Sequence, residues 1–270
     1  KSICNHVEGY IRDHHMTEIQ IWQMHNIVES ALEAVRPEVA KSYRDYRNYK
    51  QDFVGMLDSV YQKSQSIMYI GDKENSNTDS ALVSTKRSLI FNQLNKELYQ
   101  KFFMNTEELQ ACRDGYIYVH DMSARRDTMN CCLFDVKHVL KDGFEMGNLW
   151  YNEPKTLNVA FDVIGDIVLS AASQQYGGFT VPSVDLLLEP YAERSYKMLT
   201  EKYSALGLDP ETVEKAVMAD ILNDFEQGFQ GWEYKFNTVA SSRGDYPFIT
   251  MTMGTGTGRF AKLASITMLN

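Results

Sequence analysis

Apolar positions recur at three- and four-residue steps along most of this chain and alternate in only a few short stretches. Residues 1 to about 65 carry a helical pattern throughout, with Ile21, Met24, His25, Val28, Ala31, Leu32 and Val35 on one stripe. Arg36-Pro37 interrupts it, and Pro37 suits the first turn of a next helix bearing Val39, Tyr43, Tyr46 and Tyr49. Further helices are expected over Thr85–Met104, from Asn105 with Thr106 as N-cap, and over Pro154–Tyr176. Val181–Leu199 and Pro210–Phe229, the latter capped by Asp209, complete the set. The helix over Pro154–Tyr176 has the cleanest pattern, with Leu157, Ala160, Phe161, Ile164, Val168, Ala171 and Ala172 in one broad stripe and Gly177-Gly178 just beyond it. Three stretches read as strands: Gly115–Val119, Met129–Val136 and Phe248–Met253.

Gly71 to Ser84 is polar and rich in turn formers, which places a domain boundary near residue 65 and divides the chain into 1–65 and 66–270. Helices punctuated by strands imply an α/β architecture for the second part. The start without Met and the halt at Ser265–Asn270, in what reads as continuing structure, suggest a piece of a longer protein.

Composition narrows the function. An apolar content of 44% and an aromatic content of 12% are ample for a core. A net charge of −9 argues against a nucleic-acid-binding protein, because phosphate backbones demand clustered Lys and Arg. No run of about 18 apolar residues offers a membrane span, and the N-terminus lacks a signal-peptide core. Four Cys without paired spacing suit a reducing cytoplasm.

The chemistry concentrates between Gly115 and Val136. Cys131-Cys132 sits in an apolar run after a turn crowded with Asp121, Arg125, Arg126 and Asp127. A thiol held on a buried strand beside a polar rim suits redox or radical sulfur chemistry. Packing is the commoner fate of a buried Cys, so residue chemistry alone leaves both readings open. Gly254-x-Gly256-x-Gly258 matches no complete phosphate-loop pattern and reads as a tight turn. His14-His15 and His120-Asp121 lack companions at zinc-like spacing, so no metal is expected here. Lys155, at the start of the broad-striped helix, is either a surface charge or a phosphate contact aided by first-turn amides.

Four segments, in order, carry a family resemblance. They are Asn75–Ser80, Tyr116–Asp121 with Asn130-Cys131, Gln175–Pro182 and Asn237–Phe248. Together these resemble the anaerobic, class III ribonucleoside-triphosphate reductases over roughly residues 66 to 270. Glu38–Arg47 resembles the last helix of an ATP-cone, without the nucleotide-gripping part of that domain. The resemblance implies about half of a ten-stranded α/β barrel of the glycyl-radical type, preceded by an ATP-cone remnant over 1–65.

It implies that Cys131 faces the barrel lumen and the ribose, opposite a thiyl radical, while Cys132 and Asn130 point the other way and take no part in catalysis. The thiyl Cys, the glycyl radical and a C-terminal zinc site would lie beyond residue 270. Ribonucleoside triphosphates as substrates, ATP and deoxynucleotide effectors, formate or a thiol as reductant, and an S-adenosylmethionine iron-sulfur activating enzyme follow from the same resemblance. So does a homodimer through the Pro154–Tyr176 helix, with Lys155 holding an effector phosphate. The breadth of that helix's apolar stripe is the physical ground for the dimer. A glycyl-radical enzyme of the pyruvate formate-lyase type and a non-catalytic nucleotide-sensing dimerisation module are the alternatives.

Overall fold

A computed structural model describes residues 2–70, 82–125, 129–238 and 246–270. Asn75–Ser80, Arg126, Asp127 and most of Asn237–Phe248 therefore lie outside the described residues. The chain forms two compact units, Lys1–Gln65 and Ser66–Asn270.

The first unit holds α1 (Ser2–Asp13), α2 (Ile21–Val35) and most of α3 (Pro37–Ile70), so the helical pattern is interrupted between residues 14 and 20 and again at Arg36. Ile27, Ala31, Ala40 and Met56 are its buried apolar residues. The expected stripe of α2 is buried at Ala31 and half-buried at Met24, His25, Val28 and Leu32, with Ile27 buried beside it, while its two ends stay out, Ile21 being 78% exposed and Val35 56%. Polar contacts join α2 to α3. Tyr43 Oη and His25 Nδ1 lie 2.5 Å apart, Arg47 reaches Glu29 at 3.0 Å, and Arg44 also pairs with Glu29.

In the second unit the last residues of α3 are followed by α4 (Val83–Phe103) and α5 (Thr106–Arg113). Asn105, not Thr106, is the N-cap of α5. Its side chain accepts from Glu108 N while Glu108 reaches back to Asn105 N, a reciprocal pair that Thr106 has no Glu at the right spacing to form. Gly115 leaves α5 with φ +78, and Tyr116–Val119 runs as irregular chain. The alternation expected to make a strand there lacks a neighbour to pair with among the described residues, and Tyr116 and Tyr118 are 83% and 88% exposed.

β1 is Cys132–Leu133 alone, shorter than the expected strand, because Asp135 caps a helix in its place. Its carboxylate accepts from His138 N at 3.1 Å and starts α6 (Val136–Leu140). A two-stranded antiparallel ribbon follows, β2 (Phe144–Met146) and β3 (Leu149–Tyr151). Then come α7 (Leu157–Ala172), β4 (Phe179–Val181), α8 (Val184–Ser204), α9 (Pro210–Phe236), β5 (Ile249–Met251) and α10 (Arg259–Leu269).

β1, β4 and β5 form a parallel sheet in the order β1-β4-β5, with Cys132 opposite Phe179 and Phe179 opposite Ile249. Parallel pairing requires crossovers, supplied here by helical segments. The second unit is thus α/β and mostly helical.

Helices α7, α8 and α9 enclose the core with α10. Leu157, Ile164, Val168, Leu188, Val217, Ile221 and Phe225 are fully buried. Trp232 Nε1 donates to Phe161 O at 2.7 Å, and Phe161 packs edge-on against Phe225, Phe229 and Trp232. Gly228 makes this approach possible, since a Cβ there would stand 2.3 Å from the Phe161 ring.

The broad stripe of α7 is consequently consumed inside the chain's own core, so its breadth supplies no ground for a dimer contact. Val168 is 0% exposed, and a charge there would test folding rather than association. Between α9 and α10, Arg259 reaches Glu214 at 2.6 Å, and Tyr196 of α8 donates to the same carboxylate. The hydroxyl first and the guanidinium second hold Glu214 below the usual carboxylate range.

Candidate functional site

α7 ends at Ala172, four residues short of the expected end, because the following segment is taken up by sheet-like pairing. Gln175 bridges to Met129, Tyr176 N donates to Met129 O at 2.9 Å, and Gly177 N donates to Asn130 O at 2.5 Å. Cys132 N then donates to Gly178 O at 3.0 Å. The turn 175–178 is thereby laid against the two cysteines.

The cysteines meet different surroundings. Cys132 is half-buried and packs on the hydrophobic core beside Phe134, whose ring lies 5.2 Å from that of Phe179. Burial, and then the neighbouring Cys131, push the Cys132 thiol up. Its Sγ donates to Gln175 Oε1 at 2.8 Å. Cys131 is exposed, and its Sγ accepts from Gly178 N at 3.3 Å.

Gly177 sets the closeness of this approach: a Cβ there would lie 2.6 Å from Cys131 Sγ and 2.5 Å from Asn130 Oδ1. Asn130 and Cys131 thus both stand over Gly177, not on opposite sides. Strict alternation fails because regular pairing starts only at Cys132.

Gln175 was legible only as part of a turn after a helix. It is in fact 3% exposed, with both ends of its carboxamide engaged. Nε2 donates to Gly177 O at 3.2 Å and to Gly178 O at 2.9 Å. The available signal was a glutamine pair, Gln174-Gln175, between an apolar helix and Gly-Gly, and residue order alone does not say which of the two is buried.

Lys155 is exposed and lies just outside α7, whose N-cap is Thr156. Pro154 therefore precedes the helix instead of opening it. Ser195, buried in α8, accepts from the first-turn amide Leu157 N at 2.8 Å, and Arg194 donates to Pro154 O at 3.0 Å. One of the amides expected to serve a phosphate is thereby already taken. Lys155 and Cys131 are not brought together. They belong to opposite ends of α7, whose 16 residues span about 24 Å at 1.5 Å per residue.

The Gly254–Gly258 turn is held by the protein itself. Asp185 Oδ2 accepts from Gly254 N at 3.0 Å and from Gly256 N at 2.8 Å, which occupies the amides a phosphate would need. Among the described residues, no group of three or more His, Cys, Asp or Glu gathers as a metal site would require. No described helix is long and apolar enough to cross a membrane.

The profile of the family described as anaerobic ribonucleoside-triphosphate reductase matches residues 74–269. The anaerobic ribonucleoside-triphosphate reductase of Enterobacteria phage T4 is 37% identical over 194 residues, covering 68% of this chain and 30% of that protein. The protein of the same name from Haemophilus influenzae is 30% identical over 271 aligned residues, covering 97% of this chain and 38% of its own length. The chain thus spans about a third of the length of these curated relatives. Among solved structures, the anaerobic ribonucleotide reductase from Thermotoga maritima with glycerol in the active site superposes with a TM-score of 0.50 at 13% identity. The match covers 83% of this chain and 39% of that one, a likeness of fold alone.

Proposed function

Because the chain belongs to the anaerobic ribonucleoside-triphosphate reductase family, we propose that it forms part of an enzyme reducing ribonucleoside triphosphates to deoxyribonucleoside triphosphates by radical chemistry. The match over residues 74–269 carries this reading. The exposed Cys131, seated on the Gly177–Gly178 turn, supports it, because a thiol that reacts with a bound ribose must be both accessible and fixed. In such a reaction a radical removes the 3′-hydrogen of the ribose and the 2′-hydroxyl departs as water. Cys131 then supplies a hydrogen atom to the substrate radical from the face opposite the thiyl, and formate, leaving as carbon dioxide, or a thiol, leaving as a disulfide, supplies two electrons in all, which restore Cys131 and complete the reduction.

The thiyl cysteine and the glycyl radical belong to parts of the enzyme outside these 270 residues, as does a zinc site. An iron-sulfur, S-adenosylmethionine-dependent partner generates the radical. In this reading β1, β4 and β5 are strands of the ten-stranded barrel, Lys1–Gln65 is the tail of an ATP-cone, and the enzyme is cytoplasmic. ATP or deoxynucleotides act as effectors, with Lys155 holding an effector phosphate at the rim of a homodimer contact.

The test is anaerobic turnover in a full-length reductase carrying this chain. Cys131→Ser is expected to abolish deoxynucleotide formation. Cys132→Ala should keep turnover and lower stability by about 1–3 kcal/mol, as for loss of a small buried group. Equal loss of turnover in both variants, with folding intact, overturns the assignment of Cys131.

A further inference from the structure

Two adjacent thiols pose a problem for any chemistry that needs one of them. Equivalent neighbours would compete for the same reagent, and an oxidant could join them to each other. The surroundings of Cys131 and Cys132 are not equivalent, and one buried side chain underlies the difference. Gln175 accepts from Cys132 Sγ through Oε1 at 2.8 Å, and through Nε2 it holds the carbonyls of Gly177 and Gly178 at 3.2 and 2.9 Å. Gly178 N is thereby aimed at Cys131 Sγ, 3.3 Å away. Gly177 keeps the gap between turn and sulfur free of any side chain.

We propose that Gln175 is a positioning residue that makes the thiols unequal, tethering Cys132 to the core side while bracing the turn that presents Cys131. A buried carboxamide with both ends satisfied has one preferred orientation, and that orientation fixes Cys132 as a donor while it braces the turn whose Gly178 N faces Cys131. Rotation of the carboxamide would set Nε2 against a thiol and Oε1 against two carbonyls, so the arrangement resists flipping. The inference rests on the reading of Cys131 as the reacting thiol only for its purpose. The inequality itself is a property of this chain.

The experiment is residue-resolved alkylation of the chain by iodoacetamide under anaerobic conditions, with each cysteine followed by peptide mass spectrometry. Cys131 should be alkylated at least about ten-fold faster than Cys132, an advantage matching exposure plus the loss of one or two hydrogen bonds. Gln175→Met keeps the approximate shape and removes the polar contacts. It should raise Cys132 labelling and shrink the ratio about five-fold or more, with circular dichroism confirming the fold.

Cys132→Ala serves if Gln175→Met does not fold, since Nε2 still holds the turn. Cys131 labelling in that variant should stay within about two-fold of the parent, less than one hydrogen bond is worth. Equal labelling of the two cysteines in the parent overturns the proposal. So does an unchanged ratio in folded Gln175→Met, or a large change at Cys131 in Cys132→Ala. Alkylation does not depend on nucleotide reduction. Selective labelling combined with an active Cys131→Ser enzyme would sink the catalytic reading alone, and the converse pair of results would sink the role of Gln175 alone.

Discussion

At the scale of single residues, burial decides which groups keep their ordinary chemistry. Asp224 on α9 lines a small cleft with Asp162 and Lys235, and burial first, then Asp220 one turn earlier, raise its carboxyl. A raised carboxyl means that the folded state holds its proton more tightly than the unfolded chain. Stability from this group is therefore greatest below the ordinary value of 3.8, and it declines as pH rises through the folded value. At neutral pH the full penalty is in place. Asp224→Asn cannot ionise and should raise Tm at pH 7 by about a degree or two, after allowing for solvent screening. Scanning calorimetry at both pH values checks this, and the advantage should vanish below the ordinary carboxylate range. The cysteine pair shows the same dependence on surroundings, since composition cannot tell two neighbouring thiols apart while burial and Gln175 do.

At the scale of elements, the helices of the second unit were legible because their apolar stripes are long. Their ends were not, because the ends belong to neighbours. α7 surrenders Ser173–Tyr176 to pairing with Met129 and Asn130, and α9 continues to Phe236 because Trp232 and Phe236 find places in the core. Strands of two or three residues leave too little alternation to read, and β4 lay hidden in what reads as a turn and helix start. Tyr116–Val119 alternates without becoming a strand. The contact between α7 and α9 depends on Gly228 beneath the Phe161 ring. Gly228→Ala should cost about 1–3 kcal/mol through overpacking, measured by chemical denaturation. Its gain in helix propensity, about 1 kcal/mol, would prevail only if the ring can move aside.

At the scale of the whole molecule, the proposed effector site and homodimer stand or fall together with what α7 leaves exposed. Its outward side carries Val159, 44% exposed, close in sequence to Lys155. Calorimetric titration of the chain with deoxynucleoside triphosphates should show binding weakened about ten-fold by Lys155→Ala, the value of one charge-assisted hydrogen bond. Sedimentation should show a dimer that Val159→Glu shifts towards monomer. Unchanged binding removes Lys155 from the effector site, and unchanged sedimentation removes this side of α7 from the contact.

Periodicity and turn chemistry are local properties, so helix identity, the Asp209 cap and the α/β character of residues 66–270 could be read directly from residue order. The family resemblance, carried by short motifs, was equally available there. Pairing, burial and the spending of amides are not local. Which alternating stretch became a strand depended on whether a neighbouring strand lay beside it. The apolar stripe of α7 was spent on α8 and α9, the Gly254 and Gly256 amides went to Asp185, and Cys131 and Cys132 parted company across Gln175. Each of these joins residues tens of positions apart, and a hydrogen bond or a buried face has a definite partner only once the chain has closed on itself.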